Sequence, residues 1–354
     1  MSTPEPWWEL YLVRWDGDAA RVVEEVVRPL AGDRLLGRRP FYVDTDWWRG
    51  PHVSMCFCAS HEAVAALQAD GLVERASDLL AALGPGAKVE PGQHVDLHER
   101  LARYERRARP LFPWLPDGSV GLRPLAARDV DGTDEALART VRASHLALRV
   151  PECDLFGEIS AGRLRVEAYA VHLLASIATW FTDSDLRATY PSFASHAEAY
   201  LGTDAVVGTR ERWDRAYELH RPTLTGLLAE SAEQAASGTP PAATAATVMT
   251  LGSVVDATDP LALFGGSALP ATQDLFRGSA FHAALAANRG WQDEVRTSAW
   301  FARYRLVLNL AYLHLTKLGL TPHHRFYTCY LLTRAAQDLT STTAADVVRG
   351  LDRA

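Results

Sequence analysis

Residues 38–59 read RRPFYVDTDWWRGPHVSMCFCA, and this stretch decides the fold. Aromatic and β-branched residues are frequent over 38–46, and polar and apolar residues alternate over 52–59. Both patterns are typical of strands. The WWRGP segment between them holds the Gly and Pro of a tight turn, so the strands are predicted to pair antiparallel. The sequence therefore predicts a β-hairpin in the first third of the chain.

The segments around this hairpin predict the order strand, helix, strand, strand, helix, strand. A strand is expected at 7–15, helices at 19–30 and 61–83, and the fourth strand at 87–95. This order is that of the split βαβ, ferredoxin-like folds. Residues 110–132 are rich in turn formers and are assigned no element.

Helical periodicity dominates the rest of the chain. Apolar residues recur with a period near 3.6 over 134–149, 164–181, 209–233, 297–318 and 321–337. Residues 231–247 are interpreted as a surface linker, because Ala, Ser, Thr and Pro dominate them, and 251–278 as loop-like. We predict an α+β fold with a ferredoxin-like mixed sheet in 1–132. A largely helical part with a loop over 231–278 follows in 133–354, and the whole is expected to form one compact unit.

Composition limits the classes of function. The chain has 354 residues, of which 48% are hydrophobic, and a net charge of −7, so it is globular and no bulk nucleic-acid binder. It has no apolar run of about 18 residues and no secretory signal at its start, so we expect a cytoplasmic protein without membrane association. Of the 36 basic residues only Lys88 and Lys317 are lysines, as in products of GC-rich genomes or in proteins that recognise carboxylates or phosphates. The four cysteines lack the spacing of a zinc ribbon.

Signature motifs of nucleotide and metal chemistry are missing. The sequence has no GxxxxGK[ST], no GxGxxG after a strand, no HExxH and no GxSxG. His94 and His98, with Glu99 nearby, have the i,i+4 spacing of metal ligands, but a third ligand cannot be named. We therefore expect ordinary histidines, no metal site and no cofactor.

The stretch RLARYERRAR, residues 100–109, holds five arginines. On a helix Arg103, Arg106 and Arg107 share a face, which is either a solvated surface or a dock for an acidic peptide segment. Aromatic residues cluster around Trp47-Trp48 and again around 291–312. Both clusters are compatible with core packing or with an aromatic cleft.

Three stretches resemble the C-terminal domain of lantibiotic dehydratases and, more closely, its stand-alone relatives in thiopeptide biosynthesis. They are WWELYLVRW with VVRPL, RPFYVDTDWWRGPHVSMCF, which is similar to the family's "FFiRY…GpHlRlRl", and LNLAYLHLTKLGLTPHHRFYTCYLL, where relatives carry "HM…NR". Relatives that eliminate glutamate use the arginines of these motifs and the late histidine. Here Val43, Ser54 and Cys56 stand at the arginine positions. His314 matches the histidine, but Leu318-Gly319 replaces "NR".

The resemblance therefore implies a thiopeptide pyridine synthase. Such an enzyme joins two dehydroalanines of a modified precursor peptide by a formal aza-[4+2] cycloaddition, then loses water and the leader peptide. It needs no cofactor, and its partners are the precursor and other enzymes of the pathway. Two alternatives remain open: a glutamate-eliminating subunit of a split dehydratase, and a non-catalytic precursor-binding subunit.

By the same resemblance, the reaction pocket is expected around WQDEVRTSAWFARYR, residues 291–305. Tyr304, Ser298 and His52 are the predicted catalytic residues, because either hydroxyl could hydrogen-bond the amide that tautomerises and His52 could orient a carbonyl. The alternative for Tyr304 is a core aromatic, and for Ser298 a first-turn residue of the helix. The predicted substrate-binding residues are Trp291, Arg49, Trp48, Tyr42 and His314, and the predicted leader-binding residues are Arg103, Arg106 and Arg107.

Overall fold

The computed structural model describes residues 5–32, 39–105, 110–125, 135–182, 185–202, 208–264 and 279–351. The chain divides into two compact units, the first comprising 1–164 with 317–319 and the second 165–316 with 320–354. The division falls after Leu164, one long helix later than the change of sequence pattern at 132 suggests.

A four-stranded antiparallel sheet organises the described part of the first unit. Its strands are β1 (Trp7–Val13), β2 (Phe41–Asp46), β3 (His52–Cys58) and β4 (Val120–Pro124), in the spatial order β2-β3-β1-β4. β1 and β2 both run antiparallel to β3, which lies between them, and this is the split βαβ arrangement. The α+β fold class and the predicted antiparallel hairpin around WWRGP are confirmed.

The helices of the first unit follow the predicted order. They are α1 (Ala19–Val22), which continues through a π-helical stretch (Val23–Val27) into α2 (Arg28–Gly32), then α3 (His61–Ala69), α4 (Leu72–Ala82), α5 (Val95–Glu105) and α6 (Glu135–Ser160). The helix predicted over 61–83 is two helices, because Gly71 adopts a left-handed φ of 85° between them. α1 and α4 pack against the sheet, whose apolar face consists of fully buried side chains such as Leu10, Met55 and Phe57.

The fourth strand was predicted in the wrong place. Residues 91–94 form a 3-10 turn that leads into α5, because Pro91 favours the first position of a helical turn. The actual fourth strand, VGLRP, lies in the turn-rich segment at the edge of the sheet, where its Pro is tolerated. Gly121 is required there, since a side chain at this position would meet the Tyr11 hydroxyl at 2.2 Å.

The second unit is helical throughout its described residues. Its helices are α7 (Val166–Trp180), α8 (Leu186–Leu201), α9 (Thr209–Ala236), α10 (Ala245–Asp256), α11 (Pro260–Phe264), α12 (Ala280–Ala287), α13 (Ala299–Lys317), α14 (Pro322–Thr340) and α15 (Ala344–Gly350), with a π-helical turn at Trp291–Val295. Lys317, at the end of α13, groups with the first unit. α14 packs against α8 and α9, and its predicted start is confirmed: the Thr321 side chain accepts a hydrogen bond from the backbone N–H of His324, and Pro322 follows.

The predicted linker and loop over 231–278 are largely wrong where the structure describes them. α9 extends to Ala236, and α10 and α11 occupy most of 245–264. Alanine is a strong helix former, so an Ala-rich composition favoured helix at both ends of the supposed linker. Residues 265–278 lie outside the described ranges. None of the helices in the described residues is both long and apolar enough to span a membrane.

Candidate functional site

The polar face of the sheet carries the first candidate site. Side chains alternate along each strand, so the register places Glu9, Tyr11, Ser54, Cys56 and Arg123 on one face, together with His52, Asp44 and Asp46. Such a concentration of polar and charged groups on a partly buried face is unusual for a strand that otherwise serves a core.

Glu9 is the centre of this face. It is only 7% exposed, accepts a hydrogen bond of 2.5 Å from the Ser54 hydroxyl and one of 2.6 Å from Arg123 Nε. Burial alone would raise the pKa of this carboxyl, but its interactions with His52, Arg123 and Ser54 lower it to about 2. Glu9 is therefore a permanent anion held by fixed donors.

His52 completes the cluster from the start of β3. Its Nδ1 lies 2.8 Å from the carbonyl oxygen of Gly50, and its Nε2 lies 3.7 Å from Glu9 Oε1. Burial alone would lower the pKa of His52, but Glu9, Asp46 and the Gly50 carbonyl raise it above its ordinary value. The imidazole thus lies beside a carboxylate that favours its protonated form. Because His52 is buried, its predicted role in orienting a substrate carbonyl stays a prediction.

A cation and two aromatic rings border the same face. The Arg123 guanidinium lies 4.8 Å from the Tyr11 ring centroid and 5.7 Å from that of Trp48, and its side chain is 31% exposed. Trp48, a predicted substrate-binding residue, is half-buried. A guanidinium stacked on aromatic rings presents a flat, partly open surface that suits planar groups.

Arg49 has a local role in the structure. Its φ of 58° closes the hairpin turn, its Nε donates to the carbonyl of Pro113 at 3.3 Å, and its carbonyl accepts from the N–H of Leu115 at 2.7 Å. These contacts tie the turn to the segment that precedes β4. Arg49 keeps part of its surface open, so its predicted substrate contact stays a prediction.

A second polar cluster in the first unit is built around Lys317. Its ammonium donates to both oxygens of Glu152 at 2.8 and 2.9 Å and lies 2.7 Å from Nδ1 of His145. These three contacts use all three N–H groups of the ammonium. Both charged side chains are 1% exposed. The His145 ring stacks on Tyr42 at 5.1 Å, and Tyr42, predicted to bind substrate, is itself buried.

The second unit holds the predicted reaction pocket residues. Tyr304 lies on α13, is 0% exposed, and donates a long hydrogen bond of 3.4 Å to the carbonyl of Thr189. Burial raises the pKa of Tyr304, so its hydroxyl stays neutral. Ser298 is half-buried just before α13, where its hydroxyl donates to the Val295 carbonyl at 2.7 Å. Each hydroxyl is therefore engaged within its own surroundings, and Ser298 occupies the helix start that the alternative interpretation expected.

The remaining predicted substrate-binding residues of this unit differ in accessibility. Trp291 is half-buried and packs edge-on against Phe301 at 5.0 Å. His314 is 1% exposed, and its Nε2 lies 3.3 Å from the Tyr169 hydroxyl, which in turn lies 2.8 Å from Thr247 Oγ1. Trp291 keeps part of its surface accessible, so its predicted substrate contact stays a prediction, whereas His314 belongs to an internal hydrogen-bond chain.

Several groups near Tyr304 were missed by sequence reasoning. Cys329 on α14 lies 3.3 Å from the Tyr312 hydroxyl, and the Tyr312 ring packs edge-on against His196 at 4.7 Å. Burial raises the pKa of the Cys329 thiol to about 11, and burial with nearby cations lowers the pKa of His196 to about 3. Both groups are therefore neutral, and only their spacing on helices could have hinted at a shared location.

The His94–His98 pair and the predicted leader-binding arginines belong to one segment of the chain, residues 94–107. His98 is buried, stacks on Trp114 at 5.0 Å, and lies 6.2 Å from His94 between ring centroids. Across the described ranges, no group of three or more His, Cys, Asp or Glu is arranged to hold a metal ion. Arg106 and Arg107 lie outside the described residues and Arg103 is in the last turns of α5, so leader binding there stays a prediction.

The comparison with known families gives the class of protein. Residues 142–336 match the family described as the C-terminal domain of lantibiotic biosynthesis dehydratases. The chain belongs to this family.

Solved structures give more specific similarity. The chain is similar to "Pyridine synthase, TbtD, from thiomuracin biosynthesis", with 25% identity and a TM-score of 0.76 over 95% of this chain and 99% of that one. It shares its fold with TsrL, at 17% identity and a TM-score of 0.65 over 98% of both chains. The tRNA-dependent lantibiotic dehydratase MibB from Microbispora sp. 107891 aligns at 14% identity and a TM-score of 0.46 over 96% of this chain and 29% of its own. A search of the curated proteins gives no match.

Proposed function

We propose that this protein is a pyridine-forming cyclase of thiopeptide biosynthesis. In this proposal it acts in the cytoplasm on a modified precursor peptide that carries two dehydroalanines, forms the central pyridine and the macrocycle, and releases water and the leader. Membership of the lantibiotic dehydratase C-terminal family supports a role in peptide modification. The likeness to a pyridine synthase over nearly the whole of both chains supports the particular reaction.

One observation carries the choice of reaction, namely the charge of the polar sheet face. Relatives that eliminate glutamate are expected to present arginines there. In this chain Ser54 and Cys56 stand at two of those positions, on the same polar face as Glu9. Glu9 occupies the centre as a permanent anion, with its pKa lowered to about 2. Because the Arg123 guanidinium is already paired with Glu9, this face offers little uncompensated positive charge to the carboxylates of a glutamylated substrate, so elimination of glutamate is disfavoured.

The cyclisation itself asks for positioning and proton movement. One alkene and its neighbouring amide, in the iminol form, make up an azadiene, and two C–C bonds form between its terminal carbons and the second alkene. Loss of water and of the leader as its carboxamide then completes the aromatic ring. No oxidant or reductant is consumed. Holding both alkenes in one geometry lowers the entropic part of the activation barrier. In well-oriented reactions this lowering reaches about 7–11 kcal/mol.

Tyr304 is the residue we favour for the proton movement. Its only hydrogen bond in the described structure is the 3.4 Å contact to Thr189, longer than the roughly 2.7–2.8 Å that is usual for O–H···O. A buried hydroxyl with a weak partner stabilises the fold less than a Phe ring would, so chemistry explains the residue better than packing. Substrate reaches this hydroxyl when surrounding side chains move, which is compatible with closure around a bound peptide.

A direct assay tests the proposal. The purified protein is incubated with a dehydrated, azole-bearing precursor or with its glutamylated form, without ATP, added metal or tRNA, and products are followed by mass spectrometry. We expect a macrocycle and a released leader carboxamide from the first substrate only. Loss of glutamate from the second without a macrocycle would identify an eliminase, and tight binding without conversion of either would identify a peptide-binding subunit.

A further inference from the structure

Arg325, in the first turns of α14, is an unusually placed cation. Its guanidinium carbon lies 5.2 Å from the Tyr312 ring centroid and 5.3 Å from that of Phe326, so the group is in contact with two aromatic rings. The Phe326 ring in turn stacks on Tyr200 at 5.0 Å. Cation–π contacts of this kind fix the guanidinium in place, but they do not neutralise its charge.

The charge of Arg325 has no partner among the described residues. Its Nε is buried and makes no hydrogen bond, and no Asp or Glu in the described ranges forms an ion pair with it. An uncompensated cation away from water is costly, which is why buried charges are normally paired. Part of the residue's surface stays accessible, so a ligand from outside can supply the missing anion.

Arg325 and Tyr304 share two neighbours, Tyr312 and Cys329. Arg325 and Cys329 are four residues apart on α14 and share a helix face, and Cys329 lies against Tyr312. Cys329 also contributes to the raised pKa of Tyr304, after burial. The positive charge of Arg325 thus acts in the same helix cluster as the hydroxyl that we favour for catalysis.

The neighbours of Arg325 keep this cluster free of negative charge. Burial raises the pKa of Tyr304, of Tyr312 and of the Cys329 thiol, so none of the three is ionised near neutral pH. Burial, together with the charge of Arg325, lowers the pKa of His196 to about 3, so that imidazole is neutral as well. A cation among neutral donors and aromatic rings is the arrangement that stabilises an anion developing on a substrate.

We propose that Arg325 is an oxyanion-binding residue of the reaction pocket, which contacts the substrate's amide oxygen while that amide converts to its iminol. This inference rests on the proposed function. In the step, one proton leaves the amide nitrogen and one arrives on the oxygen, with no change in electron count. The Tyr304 hydroxyl can relay it by giving its own proton to the oxygen and accepting the one from nitrogen. The two transfers occur in one concerted step, and Arg325 stabilises the partial negative charge that the oxygen carries while the N–H bond breaks.

The anion site can be tested without the reaction. Thermal unfolding of the full chain is followed as acetate replaces chloride at constant ionic strength, with acetate as the simplest oxyanion probe. For wild type we expect the midpoint to rise by about 1–2 °C at acetate concentrations near ten times its dissociation constant. The rise should vanish in Arg325→Met and persist in Arg303→Gln, a control on α13 whose arginine is exposed and paired with Asp256. A rise that is absent from wild type, or equal in Arg325→Met, overturns the anion site.

The kinetic arm uses the same variants. In single turnover of the dehydrated precursor, Arg325→Met should lower the rate by about 10²–10³ and change the dissociation constant little, the usual loss for one preorganised oxyanion donor. Arg325→Lys should retain part of the rate, and the unfolding midpoint of Arg325→Met should not fall. A rate loss that follows a fall in midpoint, with no recovery in Arg325→Lys, would make Arg325 structural. If wild type converts no precursor, the proposed function fails, and the acetate result still decides the anion site.

Discussion

Lys317 and Arg325 are cations in different units of the chain, the first fully buried and the second partly buried, and their partners differ. The Lys317 ammonium meets both oxygens of a buried Glu152 and a ring nitrogen of His145. Arg325 meets two aromatic rings and, within the described residues, no carboxylate. A cation whose every donor is used contributes to the architecture, whereas one without a counter-ion remains available to a ligand.

Breaking the Lys317 network should have the largest effect. Lys317→Met leaves the Glu152 carboxylate buried without its cation, so the free energy of unfolding should fall by about 3–5 kcal/mol in urea denaturation. The double variant Lys317→Met/Glu152→Leu removes both charges and should regain most of the loss. If the single and double variants are equally unstable, the Lys317–Glu152 ion pair does not determine the free energy of unfolding. Arg303→Gln, which opens an exposed pair, should cost at most about 1 kcal/mol.

Removing the Tyr304 hydroxyl tests the helix cluster of the second unit, to which Arg325 also belongs. Tyr304→Phe keeps the ring, so precursor binding and unfolding should change little, while the single-turnover rate should fall by about 10²–10³ as a positioned proton donor is lost. Ser298→Ala should act in the same direction but less. Trp291→Ala should instead weaken binding, since it removes half-buried aromatic area. A Tyr304→Phe enzyme with wild-type rate would make this residue a core aromatic.

The Glu9 cluster offers the smallest and most pH-specific effect. The pKa of Glu9 is lowered from 4.5 to about 2, so its contribution to stability is complete above about pH 4.5 and disappears as the pH falls towards 2. A shift of this size corresponds to about 3.5 kcal/mol at most. Glu9→Gln should flatten the stability curve in this window and lower the pKa of His52, which NMR titration can follow.

The control for this prediction is Glu158, an exposed carboxylate paired with Arg163. Glu158→Gln should leave the curve between pH 4.5 and 2 close to wild type, because solvent screens exposed pairs. An unchanged His52 titration in Glu9→Gln would mean that the 3.7 Å contact carries no coupling.

Local patterns sufficed for much of the fold. The alternation in HVSMCFC and the Gly and Pro of WWRGP gave the hairpin, and Thr321-Pro322 gave the start of α14. They failed for β4, because VGLRP has the Gly and Pro of a turn and is a strand only through its pairing with β1. Edge strands of this kind are specified by tertiary contacts and not by composition.

The candidate sites show the same limit. Tyr304 and His52 were named through resemblance, and their roles stay predictions. Glu9 was overlooked, although an acid between Trp8 and Leu10 on a buried strand is a visible signal. Arg325 could not be found, since HHRFY is an ordinary helix sequence and the lack of a counter-ion appears only when the helices are packed.

The two lysines have a further consequence for handling the protein. Lys88 is exposed, whereas Lys317 is sealed in its ion pair. An amine-directed reagent added to the native protein will therefore modify Lys88 at once, and will reach Lys317 only in molecules whose first unit has opened. The ratio of labelling at Lys317 to labelling at Lys88 therefore measures how often the first unit opens under the conditions of the experiment.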